Sequence, residues 1–513
     1  MSPSTQMPGR ATSIESEQGM NVSVKATGKA GFPHRMVPLF SPAGPTEWDF
    51  AHAGKAVAAA AATLAKMRNF KGAEGESMLL PHGDSQWLFT GLGEAGVLTR
   101  PRFAAAIARG FKELRGAGAG RISLLLPSGL PWPEEEAARL ASEALHMTGY
   151  AFMDYRTRGN SPGSCTVEVV GKGQLPALRK GVKDGGAVGG GVALTRDLIN
   201  HPAGVAHTDF MLAEARKLGR LTGASYRAIR GDRLLKEGYG AIHAVGRAAE
   251  HPPALAVLEY GKGGRRRPTV ALVGKGVVFD TGGLDLKSSS GMAMMKKDMG
   301  GAAIVMGALR AIAGLGLPVH LVTVLGLAEN AVGPRAYHPG DILRSKQGLT
   351  IEITNTDAEG RVVLADAYAL ALTYKPRYMI DFATLTGACR IALGKELMGL
   401  FCNDNALRDA LVAAGEASGD HVWPLPLWEP YRRKLDSSVA DLVNAASDGM
   451  GGAITAAMFL KEFAGDVAWA HLDCYAWSDG DHPQFPKGGS GAGVRLIVDL
   501  ITRILRGEAD GSS

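Results

Sequence analysis

The chain has little cysteine. Four occur in 513 residues (Cys165, Cys389, Cys402 and Cys474), and none stand at a CxxC spacing. That excludes a zinc knuckle and a disulfide framework and suits a reducing, intracellular compartment. No uninterrupted apolar run is long enough to span a bilayer, so no membrane partner is expected. The first 30 residues lack the apolar core of a signal peptide, and Glu15 and Glu17 count against organelle targeting. Residues 1–40 are expected to form a disordered arm and the protein to be cytoplasmic. An excess of one charge is also missing: 56 Lys and Arg against 50 Asp and Glu leave only +6. Charge of this size does not indicate nucleic-acid binding, although a second, DNA-binding role stays open as an alternative. The triple arginine at 265–267 reads as a solvated loop.

Familiar motifs are missing as well. There is no HExxH, which removes the common single-zinc helix. GxxxxGK[ST] is not satisfied, because position 269 is Thr and Lys275 is followed by Gly. "GGAVGGG" at 185–191 lacks GxGxxG spacing, so a dinucleotide site there is not expected.

What is present is a long chain of ordinary globular composition, with 46% apolar and 21% charged residues, enough for two or more domains. Residues 41–175 alternate helical and strand patterns and read as an N-terminal α/β domain. In "PRFAAAIARGFKELRG", Phe103, Ile107 and Phe111 share one helical face. A connecting helix is expected over 176–200. From 201 to 513 apolar strands such as "PALAVLEY", "PTVALVGK", "PVHLVTVLGLA", "LTIEITN", "RYMIDFATL" and "VAWAHLD" mostly alternate with helices. That pattern predicts a second α/β domain, with a central, mostly parallel sheet flanked by helices. Ligands on such sheets sit beyond the carboxyl ends of the strands.

The chemistry-bearing residues fall at those ends. "PTVALVGKGVVFDTGG" carries Lys275 and Asp280, Lys287 follows shortly, and "MMKKDMGGAA" places Asp298 ahead of a helix. "LTIEITNTDAEGR" carries Asp357, Glu359 and Arg361 at alternate positions, which would share one side of an extended segment. Each has a plain alternative: Asp298 as a helix cap, Asp280 as a turn former, Lys275 as an exposed or phosphate-binding lysine. Four converging carboxylates would repel one another unless divalent cations were bound between them, and an oxygen-rich set fits zinc, manganese, magnesium or cobalt. Two metals bridged in this way form a hydrolytic device.

These segments resemble the leucyl aminopeptidase family, the cytosol aminopeptidases. "NTDAEGRVVLADA" is very similar to the family signature. "VGKGVVFDTGG", the following Leu-Lys and "MKKDMGGAA" match its other half in order and spacing, and the likeness covers roughly residues 190–505. The resemblance implies two divalent metals, zinc or manganese foremost. One is held by Asp280, Asp357 and Glu359, the other by Lys275, Asp280, Asp298 and Glu359. It implies Lys287 and Arg361 as catalytic residues, with a bridging hydroxide as nucleophile. Lys287 stabilises the oxyanion, and Arg361 holds a bicarbonate that shuttles the proton. Met295, Asn355, Thr384, Leu385 and Gly387 match substrate-lining positions. A homohexamer (a dimer of trimers) acting on the N-terminal residue of peptides, leucine-like or broad, in intracellular peptide turnover is also implied. Three segments depart from the family pattern. Thr281-Gly-Gly is followed by Leu284-Asp285, which adds a charge near Lys287. "NHPAGVAHTD" replaces the usual Asn-Thr-Pro-Ala-Asn pattern. "HLDCYAWSDG" replaces a more aliphatic segment beside the specificity pocket, which puts leucine preference in doubt.

Overall fold

The computed structural model describes residues 22–41, 54–158, 163–264 and 267–509. The chain divides into two units, Met1–Ala193 with Asp479–Pro486, and Leu194–Ser478 with Lys487–Ser513. Two arginines of the 265–267 triplet, and the first 21 residues of the expected arm, lie outside the described residues.

The first unit is built on a six-stranded sheet. Its strands are β1 (Val22–Thr27), β2 (His34–Leu39), β3 (Ser77–His82), β4 (Ser85–Gly91), β5 (Arg121–Leu125) and β6 (Cys165–Val170), in the order β1-β6-β5-β2-β4-β3. All neighbours run parallel except the β3–β4 hairpin. The expectation of a disordered arm over 1–40 is corrected here, because β1 and β2 lie inside that stretch and β2 pairs on both sides. The physical reason is burial: Met36, Val37 and Leu39 are core residues, with helices over them. Helices Arg100–Gly116 and Glu134–Gly149 cover one face, with Phe103, Ile107 and Phe111 all buried, and Lys55–Arg68 covers the other. Three acids open the Glu134–Gly149 helix, where the helix dipole favours negative charge.

A single helix runs from Leu175 to Asn200, straight through "GGAVGGG". Glycine is a poor helix former, so packing must compensate for it. A Cβ on Gly181 would lie 2.1 Å from the Glu135 carbonyl oxygen, and one on Gly185 2.2 Å from that of Arg139. These glycines let the helix press backbone to backbone on Glu134–Gly149.

In the second unit the strands are β7 (Ser225–Arg230), β8 (Ala254–Tyr260), β9 (Thr269–Asp280), β10 (His320–Asn330), β11 (Ile342–Arg344), β12 (Thr350–Glu352), β13 (Tyr378–Ala383), β14 (Met398–Cys402), β15 (Val422–Pro424), β16 (Leu442–Val443), β17 (Ala468–Asp473), β18 (Trp477–Ser478) and β19 (Gly488–Gly489). Eight form the main sheet, in the order β15-β14-β17-β13-β9-β10-β8-β7. The centre, from β17 through β10, is parallel, and antiparallel pairings lie toward both edges. Helix Gly300–Leu315 packs on one face, and Glu359–Leu372 with Gly452–Ala464 on the other. The stretch Ser289–Leu315 is long and apolar enough by composition to cross a membrane, yet most of it is buried inside this domain.

One expected strand is placed differently. "LTIEITN" does not join the main sheet; β12 pairs with β11 and β16 in a separate three-stranded sheet. Strands β14 and β15, at one end of the main sheet, were not expected from the sequence pattern.

Gly185→Ala should destabilise the protein by about 1–3 kcal/mol through overpacking. A thermal melt of the full chain reads this, and an unchanged midpoint would show that the two helices can part without cost.

Candidate metal and active site

All twelve residues singled out from the sequence line one open cavity of about 760 Å³ in the second unit. Lys275 lies within β9 rather than just past it, because pairing with β10 continues to Asp280. Asp280 ends the strand. Its Oδ1 accepts from the Gly282 N–H at 2.8 Å and from Asn330 Nδ2 at 2.8 Å. The turn-forming reading of Asp280 therefore holds, and its Oδ2 stays available, 2.8 Å from Lys287 Nζ. Gly282 and Gly283 take φ of +88° and +67°, which a side chain rarely adopts, and so swing the chain back toward Lys287.

Asp298 sits on the 3-10 turn Met295–Met299, and the residue capping the next helix is Met299, so the cap reading of Asp298 fails. Its Oδ1 accepts from Thr384 Oγ1 at 2.6 Å and its Oδ2 lies 2.8 Å from Lys275 Nζ.

The extended reading of "NTDAEGR" is also corrected. Asn355 Oδ1 accepts from the Asp357 N–H at 2.8 Å, closing a tight turn, and Glu359 starts helix Glu359–Leu372. Glu359 and Arg361 are therefore helical positions, on different sides of that helix. The apolar helical pattern that follows, and an acid at the positive end of the helix, favour this start. Glu359 Oε1 still reaches Lys275 Nζ, at 2.8 Å, and Asp357 contacts Lys287. Arg361 turns instead to the Asn444 carbonyl, at 2.8 Å, and its buried Nε has no hydrogen-bond partner.

Carboxylate oxygens of Asp280, Asp357 and Glu359 come within 4.8 Å of one another. Asp298 Oδ2, Asp357 Oδ1 and Glu359 Oε1 are buried without a hydrogen bond; each has a lysine ammonium within ion-pair distance but not in hydrogen-bonding geometry. Buried acceptors left this way are costly. Burial and the charge of Asp280 push Glu359 up to about 8 and raise Asp357 too. Burial would lower Lys275, yet the charges of Asp298, Glu359 and Asp280 overcome this and hold its proton. Cationic lysines are thus the counter-charge of the site as it stands. A divalent cation would serve the same acids better and would favour loss of the Lys275 proton, so the residues fit a metal pair. Burial lowers Arg361 to about 10, which still leaves it cationic.

Some partners were not visible in the sequence. Thr356 Oγ1 donates to the Gly282 carbonyl at 2.6 Å, and Asn330 and the Tyr337 hydroxyl both donate to the Thr356 carbonyl. Asp285, expected to perturb Lys287, is turned away: its Oδ2 accepts from the Thr356 N–H at 2.6 Å. It ties the Lys287 loop to the Asp357 turn.

The catalytic-domain model of the cytosol aminopeptidase family matches residues 193–498, and the N-terminal-domain model of the same family matches residues 36–159. The chain belongs to the cytosol aminopeptidase family. It is 41% identical to a probable cytosol aminopeptidase of Syntrophotalea carbinolica, over 84% of this chain and 89% of that one. Among solved structures it is similar to the cytosol aminopeptidase of Coxiella burnetii, with a TM-score of 0.80, 35% identity and coverage of 94% and 99%. A tomato leucine aminopeptidase variant gives a TM-score of 0.85 at 28% identity, with coverage of 96% and 98%. The bottromycin maturation enzyme BotP in complex with Mn gives 0.81 at 35% identity, with coverage of 92% and 99%. Membership makes the protein a metallo-aminopeptidase, a hydrolase of a family whose members use paired metals.

A second cluster, His207, Asp209 and His251, has metal-ligand residue types. Its two imidazoles stack face to face at 3.6 Å and 6°, so their lone pairs cannot converge on one ion in this arrangement. Asp209 is also taken by Arg230 at 2.7 Å.

Two predictions follow from the geometry of the main site. Glu359 must release its proton to bind a cation, and Lys275 must too in the ligand set implied above, so the apparent affinity for Mn²⁺ should rise by at least about tenfold per pH unit between pH 6 and 8. The sign is fixed by the raised pKa: the protonated acid favours the metal-free fold at low pH, and that contribution fades as pH passes 8. Calorimetric titration in buffers of different ionisation heat would show the released proton; a flat pH dependence contradicts it. Gly360 is the second test. A Cβ there would lie 2.7 Å from Lys275 Nζ, in a site where that side chain has no room to move. Gly360→Ala should weaken metal binding by about tenfold or more, read by the same titration.

Proposed function

We propose that the protein is a two-metal aminopeptidase that removes the N-terminal residue from peptides in the cytoplasm, in peptide turnover. The observation that supports this most directly is the convergence of buried, unbonded carboxylate oxygens from Asp298, Asp357 and Glu359 beside Asp280, in a cavity of a cytosol aminopeptidase chain. Asp280, Asp357 and Glu359 are proposed to hold one metal; Lys275, Asp280, Asp298 and Glu359 are proposed to hold the other, with Zn or Mn favoured over Mg or Co. When bound, such a pair supplies an activated water and polarises the scissile carbonyl.

The chain's own residues do the rest in this reading. Lys287, kept cationic by Asp280 and Asp357 against the cost of burial, stabilises negative charge developing on the carbonyl oxygen. Arg361 holds a bicarbonate, and its unpartnered Nε and fixed cationic charge suit an anion. Bicarbonate as the proton acceptor comes from the family resemblance, and a cavity without an imidazole among its described lining residues is compatible with it. Met295, Asn355, Thr384, Leu385 and Gly387 are proposed to seat the peptide. Thr384 also orients Asp298, and Asn355 closes the Asp357 turn. Assembly as a homohexamer, a dimer of trimers, is part of the proposal by membership of the family.

Removing one proposed ligand tests the reading. Asp357→Ala should cut kcat/KM on aminoacyl p-nitroanilides by about a thousandfold, since metal charge stabilisation contributes several kcal/mol. Turnover within threefold of the parent, with Mn²⁺ or Zn²⁺ restored, would overturn the two-metal assignment.

A further inference from the structure

One buried cation of the cavity has no role in the chemistry above. Lys297 follows Lys296 on the turn that carries Met295 and Asp298, lines the cavity and is only 6% exposed. Its ammonium makes no ion pair or hydrogen bond with a described residue. Its described contact is the face of Tyr475, 4.4 Å from the ring centroid. Two more cations surround the same ring: Arg390 Cζ at 5.7 Å and Lys395 Nζ at 5.8 Å.

Asp473, the acid outside the metal set whose charge acts on Lys297, is not free to serve as counter-charge. Asp473 Oδ1 accepts from the Leu385 N–H at 3.0 Å and the Thr386 N–H at 3.3 Å, and Oδ2 from Thr386 Oγ1 at 2.6 Å. With divalent cations bound, Asp280, Asp298, Asp357 and Glu359 would be neutralised as well. Lys297 would then be a desolvated cation with a positive neighbourhood and no anion, a costly arrangement unless a ligand supplies one. Met294, Met295 and Leu397 also line the cavity and offer apolar surface for the stem of a side chain, and the carboxylates that line it are the metal set and Asp473.

We propose that Lys297, backed by Arg390 and Lys395 around Tyr475, receives the carboxylate of an acidic N-terminal residue, so that the enzyme releases N-terminal glutamate or aspartate. This rests on the aminopeptidase reading, which places the N-terminal residue beside the metal ligands. Asp298 and Lys297 are adjacent, so a proposed metal ligand and the cation that reads the side chain share one turn. Lys297 acts on specificity, through recognition of a charge that leucine lacks.

The test is kcat/KM for Glu, Asp, Leu and Met p-nitroanilides on the metal-loaded full chain and on Lys297→Met and Lys297→Arg. Anilides carry no terminal carboxylate, so the Glu-to-Leu ratio reads the side chain alone. Expected is release of Glu by the parent with kcat/KM at least that of Leu. In Lys297→Met the Glu-to-Leu ratio should fall at least tenfold, mainly through KM for Glu, and in Lys297→Arg it should stay within threefold of the parent. On the parent alone, free L-glutamate should inhibit more tightly than L-leucine, which keeps the proposal testable if a variant does not fold. A Leu-selective parent, or an unchanged ratio in Lys297→Met, overturns the proposal and leaves the aminopeptidase reading intact. An unchanged ratio accompanied by loss of affinity for free dipeptides would assign the cations to the peptide's C-terminus instead. No turnover of any reporter by the metal-loaded parent would overturn both readings.

Discussion

The second unit is organised around a repulsion. Asp280, Asp298, Asp357 and Glu359 approach one another in a largely buried place, and like charges there cannot all ionise without cations between them. Lys275 and Lys287 supply that charge in the metal-free arrangement. Much of the surrounding structure keeps these few side chains in place: the long β9, the paired glycines after it, the Asx turn at Asn355 and the glycine-lined start of helix Gly300–Leu315.

The supports are polar and local. Thr356 is bonded to Gly282, Asp285, Asn330 and Tyr337, so two loops from different parts of the chain behave as one body. Thr384 and Asp473 do the same for the β13 and β17 ends, with Asp473 spending its oxygens on the 385–386 backbone. Preorganisation of this kind lets a site keep acids close together before any cation arrives. It also strands Lys297: every acid near it already has another obligation.

Glycine sets the spacing of both units by opposite routes. Along Leu175–Asn200 it removes side chains so that two helices touch. At Gly360 it leaves space for the ammonium of Lys275. In each case local propensity disfavours glycine in a helix, whereas the compensating contact comes from a segment more than forty residues away.

Much was legible in the chain itself. Two α/β units and most of the main-sheet strands could be named from apolar periodicity, and the twelve candidate residues, several of them only through the family resemblance, fall in one cavity. What was misread has a common cause. The period-two spacing of Asp357, Glu359 and Arg361 looks extended, but a turn closed by Asn355 and a helix that begins at Glu359 decide the geometry. Strand β12 is too short and too locally paired to join the main sheet, and β1 and β2 look like a polar arm until helices bury them. Sequence determined which groups are available and roughly which element carries each, because those follow from side-chain chemistry and local period. Only the tertiary structure decided which charges meet, which oxygens stay unbonded and which lysine is left without a counter-ion, because those depend on contacts between segments far apart in the chain.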